Sequence, residues 1–160
     1  MRYQYLLIDN DNTLMDFAAA EAKALRETLQ AAGLPYDDAT CEVYSRINDA
    51  LWKALERGET TQPALKVERF RQLLKHLDMP GDPAALGAAY AANLGNYADL
   101  LPGAESFIRT LHGRLKIALV SNGVSAIQRS RLAKCPLTPL SDAIVISEEA
   151  GVAKPDPRLL

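Results

Sequence analysis

A short apolar run that halts at a cluster of carboxylates and amides sits near the start of the chain: Tyr5-Leu6-Leu7-Ile8 passes directly into Asp9-Asn10-Asp11-Asn12-Thr13. A run of this length, stopped by turn-forming residues, reads as a buried strand feeding a polar loop. The pattern recurs twice. Leu115-Lys116-Ile117-Ala118-Leu119-Val120 ends at Ser121-Asn122-Gly123, and Ala143-Ile144-Val145-Ile146-Ser147 leads to a loop holding Gly151 and Lys154-Pro155-Asp156-Pro157. Helical spacing fills the gaps at 104–112 and 124–133. Strand, helix, strand, helix, strand predicts a parallel sheet with right-handed crossovers, hence an α/β fold.

Between the first and second strands the periodicity is helical throughout. Ala18, Ala22, Leu25, Leu29 and Ala32 form one stripe, stopped by Gly33. Tyr44, Ile47, Leu51 and Leu55 form a second before Gly58, and Phe70, Leu73, Leu74 and Leu77 a third before Met79-Pro80-Gly81. A fourth helix is expected over 83–96. About four helices without a strand are too regular for a loop, so the organisation expected is a core at 1–15, a helical insertion at 16–97, and the core resumed at 98–160.

With 160 residues, 48% of them hydrophobic, 24% charged and a net charge of −2, the chain has the profile of a globular domain and not of a nucleic-acid-coating or disordered segment. No window approaches the roughly 20 apolar residues of a membrane helix, and residues 1–4 do not resemble a signal-peptide core. A cytoplasmic protein with neither nucleic-acid nor membrane partners is expected. Cys41 and Cys135 match no metal or redox spacing and read as small hydrophobes.

In a parallel sheet, polar residues just past the carboxyl ends of the strands converge on one rim, where ligands bind. Three strand ends deliver Asp9 and Asp11, Ser121 and Asn122, and Lys154. Phosphoryl transfer through a covalent intermediate needs such a set: an in-line carboxylate, an acid for the departing oxygen, and positive charge around the equatorial oxygens. Asp9, the first residue past the strand, suits the nucleophile. Asp11 suits the acid and then the base, and must carry a proton for the first step. Backbone N–H groups at Asn10 and Asp11 would cradle phosphate. Thr13 would fix the turn, Ser121 and Asn122 would donate further hydrogen bonds, and Lys154 would supply the cation. Asp16 reads as the cap of the helix beginning at Phe17. A calcium-binding reading of the first loop fails, because Leu14 stands where that loop needs Gly and Ala20 where it needs Glu.

These residues resemble the haloacid-dehalogenase-like hydrolase superfamily. Its first motif, Asp-x-Asp-x-Thr, matches Asp9 to Thr13, its second matches Ser121, and its third, a Lys in a Lys-Pro context, matches Lys154. The resemblance covers essentially the whole chain and implies a Rossmann-like parallel-sheet core with an inserted α-helical cap. The second Asp separates the superfamily's phosphatases from its dehalogenases, so Asp11 puts this chain with the phosphatases. Asn48-Asp49-Ala50-Leu51-Trp52, Gly58-Glu59-Thr60-Thr61, Arg69-Phe70 and the stretch Ser147 to Pro155 look like the pyrimidine 5′-nucleotidase branch. That implies a nucleoside 5′-monophosphate as the small phosphorylated substrate, with Trp52 either stacking on the base or packing as core. A sugar phosphate or phosphoglycolate is the alternative substrate. A phospho-receiver signalling domain shares the Asp and Lys but would not place such a helical block after its first strand, and an inactive fragment is the third reading.

The resemblance also implies Mg2+, held by Asp9 and the backbone carbonyl of Asp11, with a further ligand from an acidic fourth motif. That motif is absent before the chain stops at Arg158-Leu159-Leu160. The expectation is therefore a chain cut at its C-terminal end by roughly 60–80 residues, with the last core strands missing and one side of the first strand unpaired. Glu148 and Glu149 belong to the third-motif loop and are not expected to replace the metal ligand.

Overall fold

The computed structural model describes residues 3–159. Three parallel strands form one sheet in the order β1-β2-β3: β1 (Tyr5–Asp9), β2 (Lys116–Ser121) and β3 (Ala143–Ile146). The register pairs Asp9 with Val120 and Ser121 with Ile146, so the polar residues after the strands leave from one rim. Each strand is short and mostly apolar, and β2, the inner strand, is buried along most of its length, as a parallel sheet covered on both faces requires. Among the described residues β1 pairs in the sheet with β2 alone, and Tyr5 and Leu7 are exposed on it.

The first four helices after β1 are α1 (Phe17–Ala31), α2 (Asp38–Glu56), α3 (Gln62–Leu77) and α4 (Pro83–Leu94). Their starts follow from short polar side chains that satisfy the first-turn N–H groups. Asp16 accepts from Ala19 N at 2.9 Å, as the sequence led us to expect, and Asp37 accepts from Thr40 N at 2.7 Å. Thr61 and Asp82 cap α3 and α4 in the same way. Gly33 follows the end of α1 at φ +69°, where a Cβ would be strained.

The chain divides into two compact units. Among the described residues, one comprises residues 3–21 and 94–159, the other residues 22–93. The helical unit closes around Tyr44, Phe70 and Tyr90, all fully buried, with ring centroids 5.4–5.6 Å apart. α3 and α4 approach closely at Gly87, where a Cβ would stand 2.6 Å from the carbonyl oxygen of Lys66.

The sheet unit adds α5 (Ala104–Leu111) before β2, α6 (Ser125–Lys134) between β2 and β3, and α7 (Ser147–Ala150) directly after β3. Its core joins Leu14, Met15, Ile108, Ile117, Leu119, Leu132, Leu137 and Ile146. The four-residue α7 stands where the sequence suggested the last residue of a strand and then a loop. Ser147 opens it, and its buried hydroxyl accepts from Gly123 N at 3.2 Å. No helix among the described residues is long and apolar enough to cross a membrane.

Candidate active site

The loop after β1 is built from the inside. Leu14 and Met15 plug the core at 2% and 0% exposure, and their N–H groups both donate to the carbonyl oxygen of Asn10, at 3.0 and 2.9 Å. Asn12 takes φ +56°, a left-handed conformation that Asn tolerates better than most residues, and donates its N–H to Met15 O at 2.8 Å. Met15 also bridges Leu100, and Leu101 N donates to Leu14 O at 2.8 Å, so the loop is tied to the returning chain. A loop anchored this tightly holds its side chains without help from a ligand.

Asp9 projects from the end of β1 and ion-pairs with Lys154, a residue 145 positions later. Lys154 Nζ also donates to Val120 O at 3.1 Å, and Thr13 Oγ1 donates to Asp9 Oδ2 at 3.3 Å. The Asp9 and Lys154 side chains are 43% and 31% exposed. A pair this open adds little stability, about 1 kcal/mol or less, yet both groups stay accessible to a ligand.

Lys154 is itself held by its backbone. Asn122 Nδ2 donates to Lys154 O at 2.9 Å, and Lys154 N donates to Asn122 Oδ1 at 2.8 Å. Asn122, expected to donate to phosphate, thus has its amide engaged with the Lys154 backbone. Asn10 points inward, 1% exposed, with its amide nitrogen 3.4 Å from Gln128 Oε1 and 3.5 Å from Met15 Sδ. Ser121 is buried at the end of β2.

Asp11 meets two residues that the sequence did not single out. Gln128 Nε2 donates to Asp11 Oδ2 at 2.6 Å, and Arg131 Nη1 ion-pairs with Asp11 Oδ1. Both donors come from α6. Their signal in the sequence is weak: two long polar side chains three apart, next to Ile127 and Leu132 on the face of a helix that has to bury something.

Glu148 and Glu149 cap α6 from α7. Glu148 Oε2 accepts from Ser125 N at 2.6 Å, and Glu149 accepts from Arg129 Nε at 2.9 Å and from the Ser125 hydroxyl. Hydrogen bonds from Arg129 and then Ser125 hold the Glu149 carboxyl down to about 2. Trp52 is half-buried on α2, as are its neighbours Leu51 and Leu55. Both cysteines are free thiols, and burial pushes that of Cys135 up.

No group of three or more His, Cys, Asp or Glu residues is placed to hold a metal among the described residues. Asp9 and the carbonyl of Asp11 are hard oxygen donors, the kind magnesium takes, and fill two of its roughly six positions. They fit the ion in kind, and the other positions would fall to substrate, water or further ligands.

The model of the haloacid dehalogenase-like hydrolases matches residues 3–160. The HAD-hydrolase YfnB of Bacillus subtilis (strain 168) is 37% identical over 154 residues, which cover 96% of this chain and 66% of YfnB. Pyrimidine 5′-nucleotidase PynA of Streptococcus pneumoniae is 36% identical over 157 residues, 98% of this chain and 66% of PynA. Pyrimidine 5′-nucleotidase YjjG of Escherichia coli (strain K12) is 30% identical over 159 residues, 99% of this chain and 69% of YjjG. The crystal structure of YfnB bound to magnesium has a TM-score of 0.92 to this one at 36% identity, covering 99% of this chain and 70% of that chain. The chain thus spans about two thirds of the length of the curated relatives it matches. A family match running from residue 3 to residue 160 leaves no segment of the described structure outside it, and the chain belongs to the haloacid dehalogenase-like hydrolases.

Proposed function

We propose that the chain carries the nucleophile, acid and cation of a phosphomonoester hydrolase, and that pyrimidine nucleoside 5′-monophosphates are its substrates. The observation that carries this reading is the Asp9–Lys154 pair at the strand rim, with a second carboxylate, Asp11, two residues along the same loop. The pyrimidine nucleotide is favoured because PynA and YjjG, both named pyrimidine 5′-nucleotidases, align over almost all of this chain.

In the first step a carboxylate oxygen of Asp9 attacks phosphorus as the bond to the nucleoside 5′-oxygen breaks. Asp11 gives its proton to that oxygen, so the nucleoside departs as a neutral alcohol. In the second step water attacks the phosphorus of the aspartyl phosphate and passes a proton to Asp11. Phosphate leaves, and Asp9 is free again. Lys154 offsets the negative charge that gathers where Asp9 meets the phosphoryl group. Thr13 orients Asp9, Asn122 fixes the backbone of Lys154, and Asn10 supports the loop from beneath while backbone N–H groups and Ser121 face the phosphate oxygens. Magnesium, held by Asp9 and the Asp11 carbonyl, would add positive charge against those oxygens when bound.

The test is hydrolysis of uridylate, cytidylate, a sugar phosphate and phosphoglycolate with magnesium, by the full chain and its Asp9→Asn variant. The expected result is preference for the pyrimidine nucleotides and loss of all turnover in Asp9→Asn. A variant as active as the parent would remove the nucleophile assignment. Preference for the sugar phosphate or phosphoglycolate would remove the substrate assignment alone.

A further inference from the structure

We propose that Gln128 and Arg131 are positioning residues that fix the Asp11 carboxylate for proton transfer. This rests on the phosphohydrolase reading above and assigns a role in it to α6.

Arg131 is 0% exposed. Burying a guanidinium costs several kcal/mol unless it is paired and hydrogen-bonded, so a fully buried Arg demands a reason. Its Nη1 ion-pairs with Asp11 Oδ1, its Nε donates to Tyr97 O at 2.9 Å, and its guanidinium lies 5.6 Å from the Phe17 ring centroid. Its Nη2 is buried with no hydrogen-bond partner among the described residues. Arg131 is therefore not optimised as a packing element, and what it reaches is a carboxylate that is itself 22% exposed. A buried cation is holding an accessible acid.

Gln128, 4% exposed, takes the other oxygen. Its Nε2 donates to Asp11 Oδ2 at 2.6 Å, while its Oε1 lies within hydrogen-bond reach of Asn10 Nδ2 at 3.4 Å. Residues three apart share a helix face, so one turn of α6 presents both donors to one carboxylate. Two donors on two different oxygens fix the plane of the carboxyl group, and each oxygen keeps a second lone pair for the proton it must pass on. An independent feature makes room for this: a Cβ at Gly123 would stand 2.8 Å from Gln128 Nε2 and 2.9 Å from its Cγ. The residue after Asn122 has no side chain where Gln128 must pass.

The proton of Asp11 matters most when the leaving group is a poor one. The test compares uridylate, which departs as an alkoxide unless protonated, with 4-nitrophenyl phosphate, whose phenolate leaves without help. Both are measured on the full chain with magnesium, for the parent, Asp9→Asn, Asp11→Asn, Gln128→Leu, Arg131→Lys and the double variant Asp11→Asn/Gln128→Leu.

Gln128→Leu is expected to lower kcat on uridylate about 10- to 100-fold, as loss of an orienting residue does, with KM and the aryl phosphate rate within a few-fold of the parent. The double variant should be no slower than Asp11→Asn alone. Arg131→Lys should fall on uridylate in the same selective way. Equal losses on both substrates, or an additive double variant, would overturn the proposal. Should Arg131→Lys fail to fold, the uncharged Gln128→Leu arm decides by itself. A dead Asp9→Asn beside an unselective Gln128→Leu defeats this proposal and spares the phosphohydrolase reading. An active Asp9→Asn, or a parent inactive on both substrates, defeats both.

Discussion

Asn122 offers a direct way to ask how the cation of the site is held. Its amide makes two hydrogen bonds to the backbone of one residue, giving one to Lys154 O at 2.9 Å and taking one from Lys154 N at 2.8 Å. Replacing it with Ala removes both. At about 1 kcal/mol net for each part-buried hydrogen bond, the Lys154 segment should lose about 2 kcal/mol of local stability, a factor of about 30 in its opening equilibrium. Amide hydrogen exchange reads this at the Lys154 N–H, whose protection should fall about 30-fold while that of β1 and β2 stays nearly unchanged. Asn122→Asp sharpens the test. A carboxylate can still accept from Lys154 N but cannot donate to Lys154 O, and would set an anionic oxygen against that carbonyl. It should therefore be no better than Ala, although Asp and Asn are nearly the same size. Protection at Lys154 within two-fold of the parent in both variants would refute the clamp. So would a uniform loss across the sheet, which would mean that Asn122 supports the fold and not Lys154.

Other parts of the structure make their own predictions. Phe70→Ala empties the centre of the aromatic cluster of the helical unit and should cost about 3–5 kcal/mol in urea denaturation followed by circular dichroism; a loss under about 1 kcal/mol would contradict the packing described. Gly87→Ala places a Cβ 2.6 Å from a backbone carbonyl that cannot rotate away, and should destabilise the same unit by about 1–3 kcal/mol despite the better helix propensity of Ala. Glu149 has its folded pKa depressed, so its pairing with Arg129 and Ser125 is fully present above the ordinary value of 4.5 and is lost as pH falls towards about 2. A carboxyl-carbon NMR titration should place its midpoint near 2 and, in Arg129→Leu, move it back towards 4.5; a parent midpoint near 4.5 would show that the pair does not persist in solution.

What the sequence made legible followed from strong local signals. Continuous apolar runs ending in Asp9, Ser121 and Ile146 mark the parallel strands, and the inner one, β2, tolerates few polar residues because it is covered on both faces. Asp16 was readable as a cap and Gly33 as a stop for the same reason of local chemistry. The contacts inside the site were not readable. Asn122 looked free to donate to a ligand, yet it clamps Lys154 across 32 positions, and the side chain of Asn10, whose backbone N–H was expected at the phosphate, turns inward towards Gln128. Gln128 and Arg131 were not singled out, because nothing nearby in sequence announces that a carboxylate 117 and 120 positions away will be packed against them. The four-residue α7 is too short for periodicity to reveal, and its two glutamates acquire a purpose only when they meet the start of α6. Local patterning thus fixes elements, whereas partners far apart in the chain require the assembled sheet.

On the proposed mechanism Asp9 becomes covalently phosphorylated during turnover. It is tested most directly by mixing the full chain with magnesium and a pyrimidine nucleoside monophosphate, quenching in acid during turnover, and mapping phosphate by mass spectrometry of the peptides. The expected result is a phosphorylated peptide modified at Asp9 and nowhere else, absent from Asp9→Asn and enriched by any change that slows the attack of water. Nucleotide hydrolysis that proceeds at the parent's rate in Asp9→Asn, with no modified peptide trapped in either protein, would contradict it.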